Sequence, residues 1–273
     1  HVKLDNVSVI GTNTNPSTEQ ERGIYVDLTS SLRHLVVENS AFEHLTYGWY
    51  FQKEVSAETS TVQYITVTNT SFSHNNLKGI YAEKLSDATF ATCTVTGNGF
   101  SSDGVPWYFL PWMAGVDLNL KAGAYQNLTF RDCTVTDNAL GGAAHGVGLT
   151  IKARDDGATY GAHPATLTHV LIDGGRYTGN ERGIRVGEPD KANAGPSDVQ
   201  IHHATLVSNT ATYTGTGGSA TGDLINYAQA TVDATFNDWG VSDLAAIEAR
   251  IYHQAEDAGL GRAIYYTLNL AGD

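Results

Sequence analysis

The chain is poor in basic charge, cysteine, proline and methionine, and it has no long apolar run. Lys and Arg number 16 against 29 Asp and Glu, for a net charge of −13. That balance lacks the basic footprint of a nucleic-acid binder, so no nucleic acid partner is expected. It also disfavours bulk attraction to anionic polymers, although a local basic cleft can still hold one. No stretch approaches the roughly 18–20 apolar residues of a membrane helix, so no membrane insertion is expected. The two cysteines, Cys93 and Cys133, are too few for a disulfide framework. HExxH, paired cysteines at ligand spacing, GxSxG, GxGxxG and Walker patterns are all missing. Zincin, nucleophile-elbow and phosphate-cradle chemistries lose their support with them. His202-His203 is no metal site on this reading, because neighbours on a strand point to opposite faces. Asp155-Asp156-Gly157 offers two carboxylates in a turn, against the six to eight oxygens that Ca²⁺ takes. The expectation is no cofactor, with Ca²⁺ as the one candidate.

What the chain has is a repeated phrase, a glycine followed by an alternating apolar strand. It reads Gly23-Ile24-Tyr25-Val26, Gly48-Trp49-Tyr50-Phe51, Gly79-Ile80-Tyr81-Ala82, Gly115-Val116-Asp117-Leu118, Gly146-Val147-Gly148-Leu149 and Gly183-Ile184-Arg185-Val186. A weaker copy is Gly222-Asp223-Leu224-Ile225. A fixed strand inside repeats of variable length marks a solenoid. The glycines read as corner residues that permit a positive φ. Before each phrase lies another alternating strand, at residues 4–10, 32–42, 62–72, 89–95, 128–135, 167–177 and 199–207. These predict two strands per coil and about seven coils. In 62–72 the inward set is Val62, Tyr64 or Ile65, Val67 and Phe72, with a bend or bulge near Asn69.

Aligning those strands puts Asn75, Asn98, Asn138, Asn180 and Asn209 in one column. Stacked asparagines can pass amide hydrogen bonds between coils and tolerate left-handed turns. The same alignment sets Cys93 over Cys133, read as two buried thiols rather than a disulfide or a nucleophile. Insertions interrupt the repeat at 99–114, 153–165 and 213–221, and in solenoids these tend to crowd the binding face. Residues 1–230 read as the repeats. Residues 231–273 read as a cap: a strand at 231–236, a helix from Ser242 or Asp243 to about Ala258, and a strand carrying Ile264, Tyr266, Leu268 and Leu270.

The chain resembles right-handed parallel β-helix proteins. The resemblance rests on the asparagine column and on the turns Asn76-Leu77-Lys78-Gly79-Ile80 and Asn180-Glu181-Arg182-Gly183-Ile184. The tail, from Asn237-Asp238-Trp239-Gly240 through Tyr252-His253-Gln254 to Gly261-Arg262-Ala263, is similar to the closing segment of secreted bacterial repeat proteins. There the usual form is Asn-aromatic-Trp-Gly, and Asp238 replaces the aromatic. The resemblance implies an extracellular or cell-surface protein, within reach of being part of a larger one. Relatives bind, cleave or epimerise polysaccharides, while others are spikes, adhesins or stalks, so fold alone does not choose.

Candidate chemistry lies on the outward positions of the glycine strands. Counting from each glycine, two residues on come Tyr25, Tyr50, Tyr81, Asp117, Gly148 and Arg185. Four on come Asp27, Gln52, Glu83, Asn119, Thr150 and Gly187. Six on come Lys121 and Lys152. Glu83, Asp117, Lys121, His145, Lys152 and Arg185 are the candidate catalytic residues. Tyr50, Tyr81, Trp107, Trp112 and Asn119 are the candidate substrate-binding ones, since sugar rings stack on aromatics and hydroxyls bond to amides. Glu83 and Asp117, on adjacent coils, can serve a glycosidase at about 5 Å for retention or roughly 6.5–9.5 Å for inversion. That reading requires that neither be buried in an ion pair. A uronate lyase needs a base and cations that hold a carboxylate, and an epimerase needs the same with a proton returned. The leading expectation is a carbohydrate-recognising β-helix with a polysaccharide or glycan partner, with lyase, hydrolase or epimerase action as its enzymatic form. The alternative is a non-catalytic structural or adhesive module whose charged ladder is a solvated surface.

Overall fold

The computed structural model describes residues 1–12, 21–56, 59–100, 110–141, 143–189, 191, 193–209 and 221–266. The chain winds into an all-β, right-handed solenoid of three parallel sheets, with nine, seven and eight strands among the described residues. The first sheet runs from Val2–Asp5 through Leu32–Glu38, Val62–Thr68 and their successors to Ala263–Ile264. The second holds three-residue strands such as Ser71–Ser73, Thr94–Thr96 and Thr134–Thr136. The third is built from the glycine phrases and includes Tyr47–Phe51, Lys78–Ala82, Ala114–Leu120, Val147–Ala153 and Ile184–Val186.

Coils therefore carry three strands where the sequence suggested two. The extra break is a corner of left-handed residues, Asn6, Asn39, Asn69, Thr92, Asp132, Gly174 and His203, which splits each expected first strand. The bend expected near Asn69 is this corner, with φ 48°. A second left-handed series, His34, Tyr64, Asp87, Asn127 and His169, interrupts the first-sheet strands and resets their parity. That is why Val62, Ile65, Val67 and Phe72 all point inward while Tyr64 is 47% exposed. The same geometry corrects the pair His202-His203. The strand ends at His202, His203 turns left-handed at φ 56°, and the two rings lie 6.1 Å apart rather than on opposite faces.

The interior is one continuous apolar column, with stacked rings such as Phe42–Phe72 at 5.3 Å and Phe90–Phe130 at 5.0 Å. Cys93 and Cys133 are free, buried thiols within it. The asparagine column is a hydrogen-bonded ladder: Asn75 to Asn98 at 2.8 Å, Asn98 to Asn138 at 2.9 Å, Asn138 to Asn180 at 2.9 Å and Asn180 to Asn209 at 3.0 Å. It ends on the carboxylate of Asp223, at 2.8 Å from Asn209. The left-handed turn belongs to the residue before each asparagine, such as His74, Gly97, Asp137 and Gly179, and not to the asparagine itself.

The glycine column has a different cause from the one expected. None of Gly23, Gly48, Gly79, Gly115, Gly148 and Gly183 has a positive φ. They are required because coils approach too closely for a side chain. A Cβ on Gly48 would stand 2.4 Å from the Gly79 carbonyl oxygen, and one on Gly115 would stand 2.6 Å from that of Gly148. This also corrects the register of the fifth copy, because Val116 pairs with Leu149 and so Gly148, not Gly146, continues the column. In the last copy the equivalent position is Asp223, since Ile184 pairs with Leu224. Gly115→Ala is expected to cost about 3 kcal/mol, since a backbone carbonyl cannot move aside as a side chain can. Gly161→Ala, whose nearest atom would be 3.7 Å away, should stay within about 0.5 kcal/mol. Urea unfolding midpoints of the two variants check this.

At the C-terminal end the helix is much shorter than expected, Leu244–Glu248, capped by Asp243 accepting from the Ala246 N–H at 2.9 Å. It stops because Ile251–Tyr252 must pair with Leu224–Asn226 and extend the third sheet. Of the expected apolar face, Ile247 and Ile251 are buried, whereas Leu244 and Ala255 are exposed. The last expected strand is reduced to Ala263–Ile264, and Leu268 and Leu270 lie outside the described residues.

Candidate active site

The outer face of the third sheet is not a solvated ladder. Two insertions cover its middle. The 3-10 turn Leu110–Trp112 brings Trp112 over it, and the segment after Ala153 brings Arg154, Asp156 and Tyr160. Between them lies a cleft of about 290 Å³, lined by Lys78, Tyr81, Trp112, Asp117, Asn119, Lys152, Arg154 and Glu188. Asp117, Lys152 and Arg185 are at most 3% exposed.

Strand pairing explains how these residues meet. Tyr81, Asp117, Thr150 and Arg185 occupy one outward column. Lys152 is level with Asn119, not with Lys121, a consequence of the corrected register. Asp117 is the hub. Its Oδ2 is 2.6 Å from Lys78 Nζ and its Oδ1 is 3.4 Å from Lys152 Nζ. Lys152 also reaches Glu188 at 3.0 Å. Burial alone would raise the Asp117 pKa, but the charges of Lys152 and Lys78 outweigh it and hold the carboxyl at about 2. Glu188 is also lowered, since Lys152 and Arg154 overcome its burial. Burial pushes the Lys78 ammonium down despite Asp117. The Lys78 ammonium sits 4.1 Å over the Tyr81 ring, a cation–π contact.

A second branch starts at Glu83. It pairs with Lys121, accepts from the Tyr81 hydroxyl at 2.8 Å and accepts from the Lys53 N–H at 2.8 Å. The Tyr81 oxygen accepts in turn from Asn119 Nδ2 at 3.1 Å. On the far wall, His145 stacks on Trp112 at 4.2 Å, and Trp112 lies 5.0 Å from Lys152 Nζ and 5.7 Å from the Arg185 guanidinium. Arg185 donates to the His145 carbonyl at 2.9 Å. Burial, then the neighbouring Arg185 and Arg182 charges, push His145 down to about 4, so its imidazole is neutral at neutral pH.

The structure thus brings Asp117, Lys152, Arg185, His145, Trp112, Tyr81 and Asn119 together, with Glu83 and Lys121 one bond further out. Tyr50 is packed away from the cleft, in an apolar cluster with Tyr47, Leu77 and Tyr81. Trp107 lies outside the described residues. Sequence reasoning missed Lys78, Arg154 and Glu188. Asp155 and Asp156 are committed elsewhere. Asp156 pairs with Arg154 at 2.5 Å and with Lys191 at 3.3 Å, and Asp155 accepts from the Ala194 N–H at 2.9 Å. Among the described residues no group of three or more His, Cys, Asp or Glu is placed to hold a metal. No helix there is long and apolar enough to cross a membrane.

Among curated proteins no significant match was found. Two solved structures resemble the chain, both from Azotobacter vinelandii. The A-module of mannuronan C-5 epimerase AlgE4 is 16% identical with a TM-score of 0.46, over 75% of this chain and 43% of that one. The A-module of mannuronan C-5 epimerase AlgE6 is 17% identical with a TM-score of 0.47, over 75% and 42%. The chain spans less than half the length of either, and likeness at that level is no basis for assigning an activity. The family model for the right-handed β-helix region matches residues 1–162. With three parallel sheets wound as described, the chain belongs to the right-handed β-helix family.

Proposed function

We propose that the cleft on the third sheet binds an acidic sugar chain, and that its chemistry is proton abstraction beside a carboxylate, as in a lyase or an epimerase. The observation that carries this reading is the convergence of Lys78, Lys152 and Arg185 around the carboxylate of Asp117, with Lys152 also holding Glu188, beneath the Trp112 ring. In a chain of net charge −13, that is a concentrated basic site. Lys152 and Arg185 supply charge to a uronate carboxylate, Trp112 supplies a ring face, and neutral His145 is the group able to take a proton. Hydrolysis is disfavoured. A general acid needs a raised pKa, and Asp117 is held as an anion between two lysines while Glu83 is tied to Lys121. An extracellular or cell-surface setting suits such a substrate and is part of the proposal.

One observation favours the second reading, a structural or adhesive module. Each of Asp117, Glu83 and Glu188 already has an internal cation, so the network is able to serve as a fixed spine. A glycan array separates the two. Acidic oligosaccharides should bind, and Trp112→Ala should weaken them by about tenfold, the loss of one ring contact and its cation–π support. An unsaturated product seen by ultraviolet absorption identifies a lyase, and exchange of the proton beside the carboxylate, followed by NMR, identifies an epimerase. A folded protein that holds no acidic glycan leaves the module reading.

A further inference from the structure

His145 sits in an insertion. Nine residues separate Asn138 from Gly148, whereas two separate Asn180 from Gly183 at the same turn of the next coil. The residues ahead of Val147 lie outside the three sheets, so their backbone groups must be satisfied elsewhere. The His145 N–H donates to the Pro111 carbonyl at 2.8 Å, which ties it to the Trp112 turn. Two guanidiniums take the carbonyls. Arg185 donates to that of His145 at 2.9 Å. Arg182 donates to that of Gly146 at 3.1 Å and reaches that of Ala143 at 3.5 Å. Arg182 therefore grips the chain on both sides of His145. It is fully buried and lies outside the cleft lining. Its column explains the reach. Arg182 precedes Gly183 as Lys78 precedes Gly79, and Lys78 uses that position to hold Asp117. Tyr47, Ala114 and Val147 fill it on three other coils, so the fold itself does not require a cation there. A buried guanidinium is expensive to keep, and this one is spent on the turn that carries His145.

We infer that Arg182 is a positioning residue for His145: by holding the carbonyls on either side, it fixes the imidazole against Trp112, where it takes the substrate proton. This rests on the proposed chemistry, in which His145 is the base. The charge of Arg182 works in the same direction as its hydrogen bonds. His145 faces Arg185, Arg182 and Lys152, with Glu188 opposing them and the Trp112 ring stacked at 4.2 Å. Three cations against one carboxylate keep the imidazole neutral and its lone pair available.

The test uses the full chain, with thermal melts to confirm folding. The His145 imidazole is titrated by NMR without substrate, and turnover is measured on galacturonate and mannuronate oligomers by proton exchange and ultraviolet absorption. Arg182→Gln should hold the imidazole proton about tenfold more tightly, moving its midpoint up from about 4. Its kcat should fall by about tenfold or more while KM stays within about twofold, because Arg182 touches no substrate and only the aim of the base is lost. The acid limb of the kcat profile should move up with the imidazole midpoint. Arg182→Lys restores the charge, so it should return the midpoint toward its wild-type value and recover part of the turnover. Glu181→Gln combined with Arg182→Met removes the guanidinium together with a counter-charge 4.0 Å away, and serves if Arg182→Gln fails to fold. Folded variants whose imidazole titration or kcat stays at the wild-type value overturn the inference and leave the acidic-sugar reading standing. A folded wild type that turns over no uronate oligomer overturns the catalytic reading, and this role with it.

Discussion

Asp117→Ala should destabilise the protein by about 3–5 kcal/mol, the cost of removing one member of a buried ion pair and stranding its partners. The two partners are not stranded equally. Lys152 keeps Glu188 at 3.0 Å, whereas among the described residues Lys78 keeps the Tyr81 ring at 4.1 Å and the more distant charge of Glu83. Most of the loss should therefore come from Lys78, and Asp117→Leu combined with Lys78→Met should recover a large part of it. A double-mutant cycle by urea unfolding measures this, and additive single effects would sink the account. Acid behaviour gives a second signature. The folded carboxyl titrates at about 2, below its ordinary 3.8, so its contribution is fully present above 3.8 and is lost as pH falls toward 2. The wild type should lose stability across that window more steeply than the double variant.

The fold was legible because a solenoid repeats its reasons. An asparagine at the same offset on five successive coils is a pattern that chance does not make, and its amide ladder needed no structure to be anticipated. The glycine column was equally visible, but not its cause, since close approach of neighbouring carbonyls is a property of stacked coils and not of any one strand. Register failed at Gly146 and Gly148 for a local reason. Both precede apolar residues with period two, and only the neighbouring coil distinguishes them: Gly148 sits under Asn180, where a Cβ would meet the amide at 2.7 Å. The candidate site was half legible. Asp117 and Arg185 share an outward column that alignment finds. Lys78 escaped because it precedes its glycine, at a position occupied by Arg22, Tyr47, Ala114 and Val147 on other coils, so no residue type recurs. Glu188 follows the short strand Ile184–Val186 in a polar excursion with no column to join. Burial of the charges was the largest surprise. An alternating outward position implies solvent unless an insertion folds over it, and that docking depends on contacts between distant segments such as Trp112 with His145.

Asn138→Leu is the second change with a large expected effect, and it tests the ladder at its middle rung. The Asn138 amide donates to the Val95 carbonyl at 3.0 Å, the Thr136 carbonyl at 2.9 Å and Asn180 Oδ1 at 2.9 Å. Its oxygen accepts from the Asn98 N–H at 3.1 Å and from Asn98 Nδ2 at 2.9 Å. Leucine keeps the branched four-atom skeleton but its methyl groups are bulkier than the amide, so some overpacking adds to the loss of hydrogen bonds. The Asn98 backbone N–H loses its partner in a fully buried rung, and Asn180 Oδ1 loses one of its two donors. At about 1–3 kcal/mol for each unsatisfied group, the variant should lose about 4 kcal/mol. Asn39→Gly is the contrast. Asn39 makes the same kind of amide bond, accepting from Asn69 at 2.8 Å, but at an exposed corner where water replaces it and at φ 49°, which glycine adopts freely. It should change stability by no more than about 0.5 kcal/mol. Because solenoid coils are coupled to their nearest neighbours, hydrogen exchange in Asn138→Leu should accelerate first at the rungs of Asn98 and Asn180 and fall off along the axis. Uniform acceleration along the whole chain would show that the ladder holds the fold as one unit instead of coil by coil.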